Sequence, residues 1–202
     1  MHFLFEPTNR ALFLAINAPA DLSGLSFAFA VFASNYCVAL LAAVLLWSWM
    51  RSNSAERQWL MMVGIACLLA LSLNAVIAML LPHPRPFMVP IGHTLILHDP
   101  DNSFPSDHAT LMWTFAFGLC WQPSLRRIGF LAVLLATLTS WGRIFLGVHF
   151  PFDILGSILV AAAALAVSRP FQPWVSKWLA PSVERVHANT LGKWFRQSKA
   201  EN

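Results

Sequence analysis

The chain has 202 residues, of which 57% are hydrophobic and only 11% are charged, with a formal net charge of +4. Soluble domains usually carry about 25% charged residues and roughly 45–50% apolar ones. The composition therefore excludes an ordinary soluble domain and indicates a membrane protein. No internal repeat, low-complexity tract or second domain stands out, so residues 1–202 are predicted to form one integral membrane domain.

The N-terminal segment, residues 1–21, has an apolar rhythm that polar residues interrupt. Leu12, Phe13 and Ile16 recur at helical spacing, whereas Glu6 lies within the same stretch. A cleavable leader peptide has a basic start and an unbroken apolar centre, and this segment has neither. We predict an amphipathic helix at the membrane interface; a sixth membrane crossing is the alternative.

Five charge-poor stretches follow and predict a polytopic all-α bundle over residues 22–168. The first two exceed the roughly 20 residues that a bilayer requires. The other three are shorter, but flanking arginines can extend to the interface and lengthen each helix. The predicted spans are residues 22–50, 58–81, 109–125, 128–142 and 154–168.

Basic residues are concentrated on one side of the predicted bundle. Arg51 and Arg57 join the first two spans, Arg126 and Arg127 join the third and fourth, and a basic tail, residues 169–202, follows the fifth. Alternating crossings place all three groups on the same side, which the positive-inside rule makes cytoplasmic. Because the tail also contains several tryptophans, we predict that it lies as an amphipathic segment on the anionic cytoplasmic leaflet.

Three polar patches then fall together at the opposite, non-cytoplasmic ends of the spans. Residues 84–87 follow the second span, residues 103–108 precede the third, and residues 140–153 connect the fourth to the fifth. Segments that are distant in sequence therefore converge on one membrane face, where we predict the functional site.

The patches contain groups suited to binding a phosphate. Arg85 and Arg143 offer fork-shaped donors that match phosphate oxygens. Ser106 and Asp107 precede an apolar helix, whose first backbone N–H groups can bind an anion. The hydroxyl of Ser106 adds one more donor.

The same patches contain groups suited to phosphoryl transfer. His149 and Asp153 are four residues apart, so on a helix the carboxylate could hold one imidazole nitrogen and leave the other free to attack. His108 is a second imidazole, available to protonate a leaving group. Singly, such residues can be interfacial anchors or helix caps. Together they indicate a site that transfers a phosphoryl group without a metal or other cofactor.

These motifs resemble those of the type-2 phosphatidic acid phosphatase superfamily, over roughly residues 60–168. The superfamily pattern is Lys-x6-Arg-Pro, then Pro-Ser-Gly-His, then Ser-Arg-x5-His-x3-Asp. The residues that match it are Arg85, Pro86, Pro105, Ser106, His108, Arg143, His149 and Asp153.

The resemblance implies a membrane helical bundle and a role for each matching residue. His149 would form a phosphohistidine, Asp153 would orient it, and His108 would protonate the leaving group. The phosphate would be held by Arg85, Arg143 and the segment Pro105, Ser106 and Asp107.

Three positions depart from the superfamily pattern: Ala78 stands in place of the Lys, Asp107 in place of the Gly, and Gly142 in place of the Ser. With these departures the chain resembles the bacterial undecaprenyl-diphosphate phosphatases linked to bacitracin resistance. That resemblance implies hydrolysis of undecaprenyl diphosphate at the outer face of the bacterial inner membrane, which recycles the lipid carrier for peptidoglycan. Without the Lys, His83 or His98 could help to hold phosphate, although a surface role is the expectation for both and for His93.

Other functions remain open at this point. The substrate could be phosphatidic acid, phosphatidylglycerophosphate or another prenyl diphosphate, with residues 88–102 shaping the choice. Vanadate-dependent haloperoxidases share the phosphate-site pattern but are soluble. A transporter or receptor for lipid phosphates would use the same residues only for binding, yet transporters usually place charged groups near the middle of the membrane.

Overall fold

All of the regular structure in the computed structural model, which describes residues 6–189, is helical. No strand occurs in this range, so the predicted all-α class is confirmed. The helices are α1 (Glu6–Ile16), α2 (Gly24–Val31), α3 (Cys37–Arg51), α4 (Ser54–Leu80), α5 (Asp107–Trp121), α6 (Arg126–Phe145), α7 (Pro151–Ser168), α8 (Gln172–Trp174) and α9 (Ala180–Asn189).

Four helical stretches within residues 6–189 are long and apolar enough to cross a bilayer, one fewer than predicted. The first combines α2 and α3, because a π-helical segment, Phe32–Tyr36, joins them without a break. The difference concerns the predicted third span, which is α5. With 15 residues, α5 measures about 22 Å, less than the hydrocarbon thickness of about 30 Å. It packs against α4, α6 and α7 and runs antiparallel to α4, from the Asn74–Asp107 contact to the Trp59–Gly118 contact.

The helical structure continues beyond the end of the predicted fifth span. After α7, a 3₁₀ turn (Arg169–Phe171), α8 and a π-helical segment (Val175–Leu179) lead directly into α9. Arg57 Nη2 lies 2.8 Å from Glu184 Oε2, which ties α9 to the first turn of α4. Residues 190–202, the last part of the predicted tail, lie outside the described residues.

The N-terminal helix α1 packs onto α6 and α7. Phe13 is fully buried, with its ring centroid 5.2 Å from that of Phe150. Asn9 Oδ1 accepts a hydrogen bond from the Phe152 N–H at 3.0 Å, at the N-terminus of α7. At 11 residues α1 is too short to span a bilayer by itself, and its position at the membrane interface stays a prediction.

Prolines mark the helix ends from which the polar patches begin. Pro82 and Pro84 follow the end of α4, where the missing proline N–H and the ring prevent the helix from continuing. Pro86 begins a 3₁₀ turn, and Pro105 is buried just before α5. Pro151 occupies the first position of α7, which suits a residue without an N–H. Chain direction therefore changes abruptly at each patch.

Candidate active site

The three polar patches come together in the structure, as their order along the chain predicts. Arg85 follows α4, Ser106 precedes α5, Arg143 lies in the last turn of α6, and His149 lies two residues before the start of α7. All four side chains are buried, although all four carry polar or charged groups, which usually need a partner when buried. This cluster is the candidate active site.

The surroundings of His149 define which of its ring nitrogens carries hydrogen. Nδ1 lies 3.0 Å from the Ser103 carbonyl oxygen and 3.4 Å from Asp153 Oδ2, both of which only accept hydrogen bonds. Nε2 lies 3.1 Å from Arg85 Nη1, which can only donate. The neutral ring therefore carries its hydrogen on Nδ1, and its lone pair on Nε2 points toward the guanidinium.

The buried position of His149 also controls its charge. Burial lowers the pKa of its imidazole to about 3; the hydrogen bond to Asp153 opposes this effect, and the positive charges of Arg143 and Arg85 reinforce it. The ring is therefore neutral at pH 7. A neutral imidazole whose second nitrogen carries no proton is the form that can act as a nucleophile.

Asp153 is fully buried and holds the segment that carries His149. Its Oδ2 accepts hydrogen bonds from the Phe150 N–H at 2.7 Å and from the Ser103 hydroxyl. The sequence argument placed His149 and Asp153 on one helical face, but His149 lies in the loop before α7 and Asp153 in its first turn. The backbone turns between the two residues, so the predicted contact between their side chains forms across this turn and not along one face of a helix.

Ser103 has a part in this arrangement that the sequence argument did not assign. Its carbonyl oxygen is the nearest acceptor to His149 Nδ1, and its hydroxyl donates to Asp153. Ser103 stands in the same polar patch as Ser106, but only folding brings it against residues some 46–50 positions later. In the sequence, the signal that could have pointed to a role for Ser103 was its position in a polar patch.

Arg85 is held by four contacts, which fix the plane of its guanidinium. Nε lies 2.6 Å from Asp101 Oδ1, Nη1 donates to the Val148 carbonyl at 2.9 Å, and Nη2 donates to the Asn102 carbonyl at 3.2 Å. The fourth contact is His149 Nε2. Partial burial of Asp101 acts to raise its pKa, but the adjacent guanidinium is stronger and holds that pKa below its usual value.

Arg143 is held from two directions. Its Nη2 lies 2.8 Å from His98 Nε2, and its Nη1 donates to Asn35 Oδ1 at 3.4 Å. Asn35 reaches it from the π-helical segment of the first span. At Gly142 a Cβ atom would lie 2.8 Å from the Ser34 backbone nitrogen. Glycine at 142, a departure from the superfamily pattern, therefore permits the close approach that brings Asn35 to Arg143.

The three additional histidines have different environments. His93 is exposed, as predicted. His98 contacts Arg143, and its pKa is lowered by burial and by the charges of Arg85 and Arg143, so it serves as a neutral acceptor. His83 is only 8% exposed. The expectation of a surface role was therefore wrong for His83. For His98, the same expectation did not include its contact with Arg143.

The start of α5 presents the remaining predicted residues. Pro105 and Ser106 are buried, and in the described part of the chain the Ser106 hydroxyl has no hydrogen-bond partner. Asp107 Oδ1 instead accepts a hydrogen bond at 2.8 Å from Asn74, one helical turn before Ala78. The two departures at 78 and 107 thus lie close together. His108, half-buried in the first turn, lies within electrostatic range of both arginines of the site.

Residues 59–177 of the chain match the PAP2 superfamily. YbjG of Escherichia coli (strain K12), provisionally named an undecaprenyl-diphosphatase, is 38% identical over 159 residues, which cover 77% of this chain and 78% of that protein. The undecaprenyl-diphosphatase BcrC of Bacillus subtilis (strain 168) is 34% identical, with 76% and 78% covered. A protein of Bacillus licheniformis named bacitracin transport permease protein BcrC is 31% identical, with 77% and 72% covered.

Solved structures show the same fold. Aquifex aeolicus LpxE superposes with a TM-score of 0.60 at 24% identity, covering 81% of this chain and 95% of that chain. A transmembrane PAP2-type phosphatidylglycerolphosphate phosphatase from Bacillus subtilis gives 0.54 at 17% identity, with 88% and 90% covered. At these identities the likeness concerns the fold alone, whereas the sequence match covers more than half of the chain. This multi-pass membrane protein belongs to the PAP2 superfamily.

Proposed function

We propose that this protein hydrolyses undecaprenyl diphosphate to undecaprenyl phosphate and inorganic phosphate. The reaction recycles the lipid carrier of cell-wall synthesis at the outer face of the bacterial inner membrane. Support for the substrate comes from the names of the relatives that are 34–38% identical over most of the chain. Support for the chemistry comes from the candidate active site.

One observation carries the chemistry: the Nε2 lone pair of a neutral, buried His149 faces Arg85, while Nδ1–H is held by Ser103 and Asp153. In the first step Nε2 attacks the terminal phosphorus, a phosphorus–nitrogen bond forms, and the bond to the bridging oxygen breaks. The lipid phosphate departs with a proton from His108. In the second step His108 takes a proton from water, which attacks the phosphohistidine and releases phosphate.

Arg85, Arg143, the Ser106 hydroxyl and the first N–H groups of α5 are the groups that would hold the phosphate oxygens. Negative charge on these oxygens changes during transfer, and donors fixed beforehand stabilise it without reorganisation. The contacts of Arg85 with Asp101 and of Arg143 with His98 supply such fixing. The prenyl chain would enter laterally from the bilayer and lie between helices.

The substrate is tested by phosphate release from the purified protein in detergent with excess chelator, with undecaprenyl diphosphate and phosphatidic acid offered side by side. We expect preferential release from the diphosphate. Preference for phosphatidic acid would keep the chemistry and contradict the cell-wall role. Binding without release from either lipid would favour a lipid-phosphate binder or transporter instead.

The nucleophile is tested with His149→Ala. Removing the imidazole should reduce phosphate release to the background, a loss of roughly 10⁴-fold or more. It should also abolish the acid-labile phosphoprotein that the wild type forms during turnover. His93→Ala is the matched control, because it makes the same change at an exposed position on the same face. Near-normal release by His149→Ala would contradict the mechanism.

A further inference from the structure

His83 is a buried histidine at an unspecified position of the first superfamily motif, and it lies on the far side of Asp153 from His149. Its Nδ1 is 3.5 Å from Asp153 Oδ1, and its Nε2 is 3.4 Å from Glu6 Oε2. Asp153 Oδ2, the other oxygen, faces His149 at 3.4 Å. The two oxygens of one fully buried carboxylate therefore lie next to two different imidazoles.

The contacts of His83 favour its protonated form. Ionised carboxylates only accept hydrogen bonds, so a ring with a carboxylate at each nitrogen is best satisfied with hydrogen on both. Burial acts to lower the pKa of His83, but Asp153 and Glu6 together outweigh it and raise that pKa above its usual value. The surroundings of His83 thus favour its charged form, whereas those of His149 favour the neutral ring.

The position of His83 is set by its backbone and by packing. Its N–H donates to Asn102 Oδ1, and its carbonyl accepts from the Ser103 N–H at 2.8 Å. Its ring meets Phe150 edge-on, with centroids 5.3 Å apart. The same loop thus carries His83 and Ser103, both of which contact Asp153.

Charges alternate in sign from the protein surface to the nucleophile. Arg10 Nε lies 2.7 Å from Glu6 Oε1, and Glu6, His83 and Asp153 follow in order toward His149. The helix α1 contributes the two outer charges and α7 contributes Asp153. Of the other titratable groups near His149, Arg85 pairs with Asp101 in the loop that carries His83, and Arg143 contacts His98.

We propose that His83 is a positioning residue that acts through Asp153 and, together with burial, disfavours protonation of His149 before it attacks. A carboxylate shared with a cation attracts the Nδ1–H of His149 less strongly than an isolated buried carboxylate, and it therefore favours a second proton on the ring less. When Nε2 bonds to phosphorus and the ring gains positive charge, the same carboxylate compensates that charge. This role rests on the proposed function, because it serves the same phosphohistidine step.

The test is His83→Gln, which removes the cation but retains a polar side chain. The midpoint for protonation of His149, followed by ¹⁵N imidazole NMR of labelled protein in detergent, should rise by about one pH unit or more. The acid limb of kcat/KM should move to higher pH by a similar amount. His83→Lys, which keeps a cation between the carboxylates, should restore the wild-type profile, and His93→Gln should leave it unchanged.

Glu6→Gln is a second test of the proposal, because it removes the charge beside His83 Nε2 and leaves the buried ring unaltered. It should shift the His149 midpoint in the same direction by a smaller amount, and adding it to His83→Gln should have no further effect, because Glu6 acts through His83. An unchanged midpoint in folded His83→Gln, or a Lys variant that behaves like the Gln variant, would overturn the proposal. If His83→Gln does not fold, an unchanged midpoint in Glu6→Gln overturns it. A wild-type protein that releases no phosphate would instead overturn the proposed function, and the NMR midpoints would still decide the role of His83.

Discussion

At the scale of single residues, the state of His149 depends on neighbours from three separate segments. Ser103 supplies a carbonyl acceptor, Asp153 a carboxylate, and Arg85 a donor on the opposite edge of the ring. The motif spacing predicted the contact with Asp153, whereas Arg85 was expected to hold phosphate and its contact with His149 was not predicted. The Ser103 contact was not predictable, because a carbonyl oxygen leaves no mark in the sequence.

Ser103→Ala tests the contribution of that hydroxyl. The substitution removes the hydrogen bond to Asp153 but leaves the carbonyl that faces His149. A hydrogen bond to a charged group contributes about 1.5–3 kcal/mol, so we expect kcat to fall by roughly 10- to 100-fold. Ser23→Ala, at an exposed serine that makes no helix-cap hydrogen bond, is the matched control. An unaltered kcat in Ser103→Ala would show that Asp153 is held adequately without it.

At the scale of elements, the loop between α6 and α7 sets the direction of His149. Gly147 has a φ of +83°, and a Cβ atom there would collide with the His93 carbonyl oxygen. The loop between α4 and α5 therefore packs directly on this backbone, as the hydrogen bond from the Leu95 N–H to the Leu146 carbonyl at 3.1 Å also shows. A glycine two residues before the nucleophile was visible in the sequence, but its partner segment was not.

Gly147→Ala tests this packing. The left-handed conformation costs a non-glycine residue about 1–2 kcal/mol, and the collision adds to it, so Tm and phosphate release should both fall. Gly64→Ala, in α4, is the control, since a Cβ atom there meets no atom within 4 Å. Equal effects of the two substitutions on Tm and on phosphate release would contradict the close packing at Gly147.

At the scale of the whole molecule, the basic connections and the candidate active site lie at opposite ends of the bundle. Arg57 and Arg126 stand at the starts of α4 and α6, whereas Arg85 follows the end of α4 and Arg143 lies near the end of α6. The alternation of the chain forces this arrangement once the helices run antiparallel. By the positive-inside rule we expect the candidate active site to lie outside the cytoplasm.

Cysteine labelling tests this orientation. Cys37, Cys67 and Cys120 are first replaced by Ala, and single cysteines are introduced as Leu97→Cys, beside the site, and Arg51→Cys, at the other end. Leu97 is fully exposed and Arg51 is exposed. In intact cells a membrane-impermeant maleimide should label only the Leu97→Cys variant. After the membrane is permeabilised, the Arg51→Cys variant should also be labelled. The reverse pattern would invert the topology.

The sequence by itself determined the all-α membrane class, the order of the helices and the set of residues that converge on one face. These follow from hydropathy and from motif spacing, which depend on local composition and on the alternation of crossings. Only the tertiary structure decided the tautomer of His149, the contact of His98 with Arg143 and the burial of His83 between Glu6 and Asp153. Those features depend on distances between atoms of remote segments, to within a few tenths of an ångström, and a one-dimensional pattern does not contain such distances.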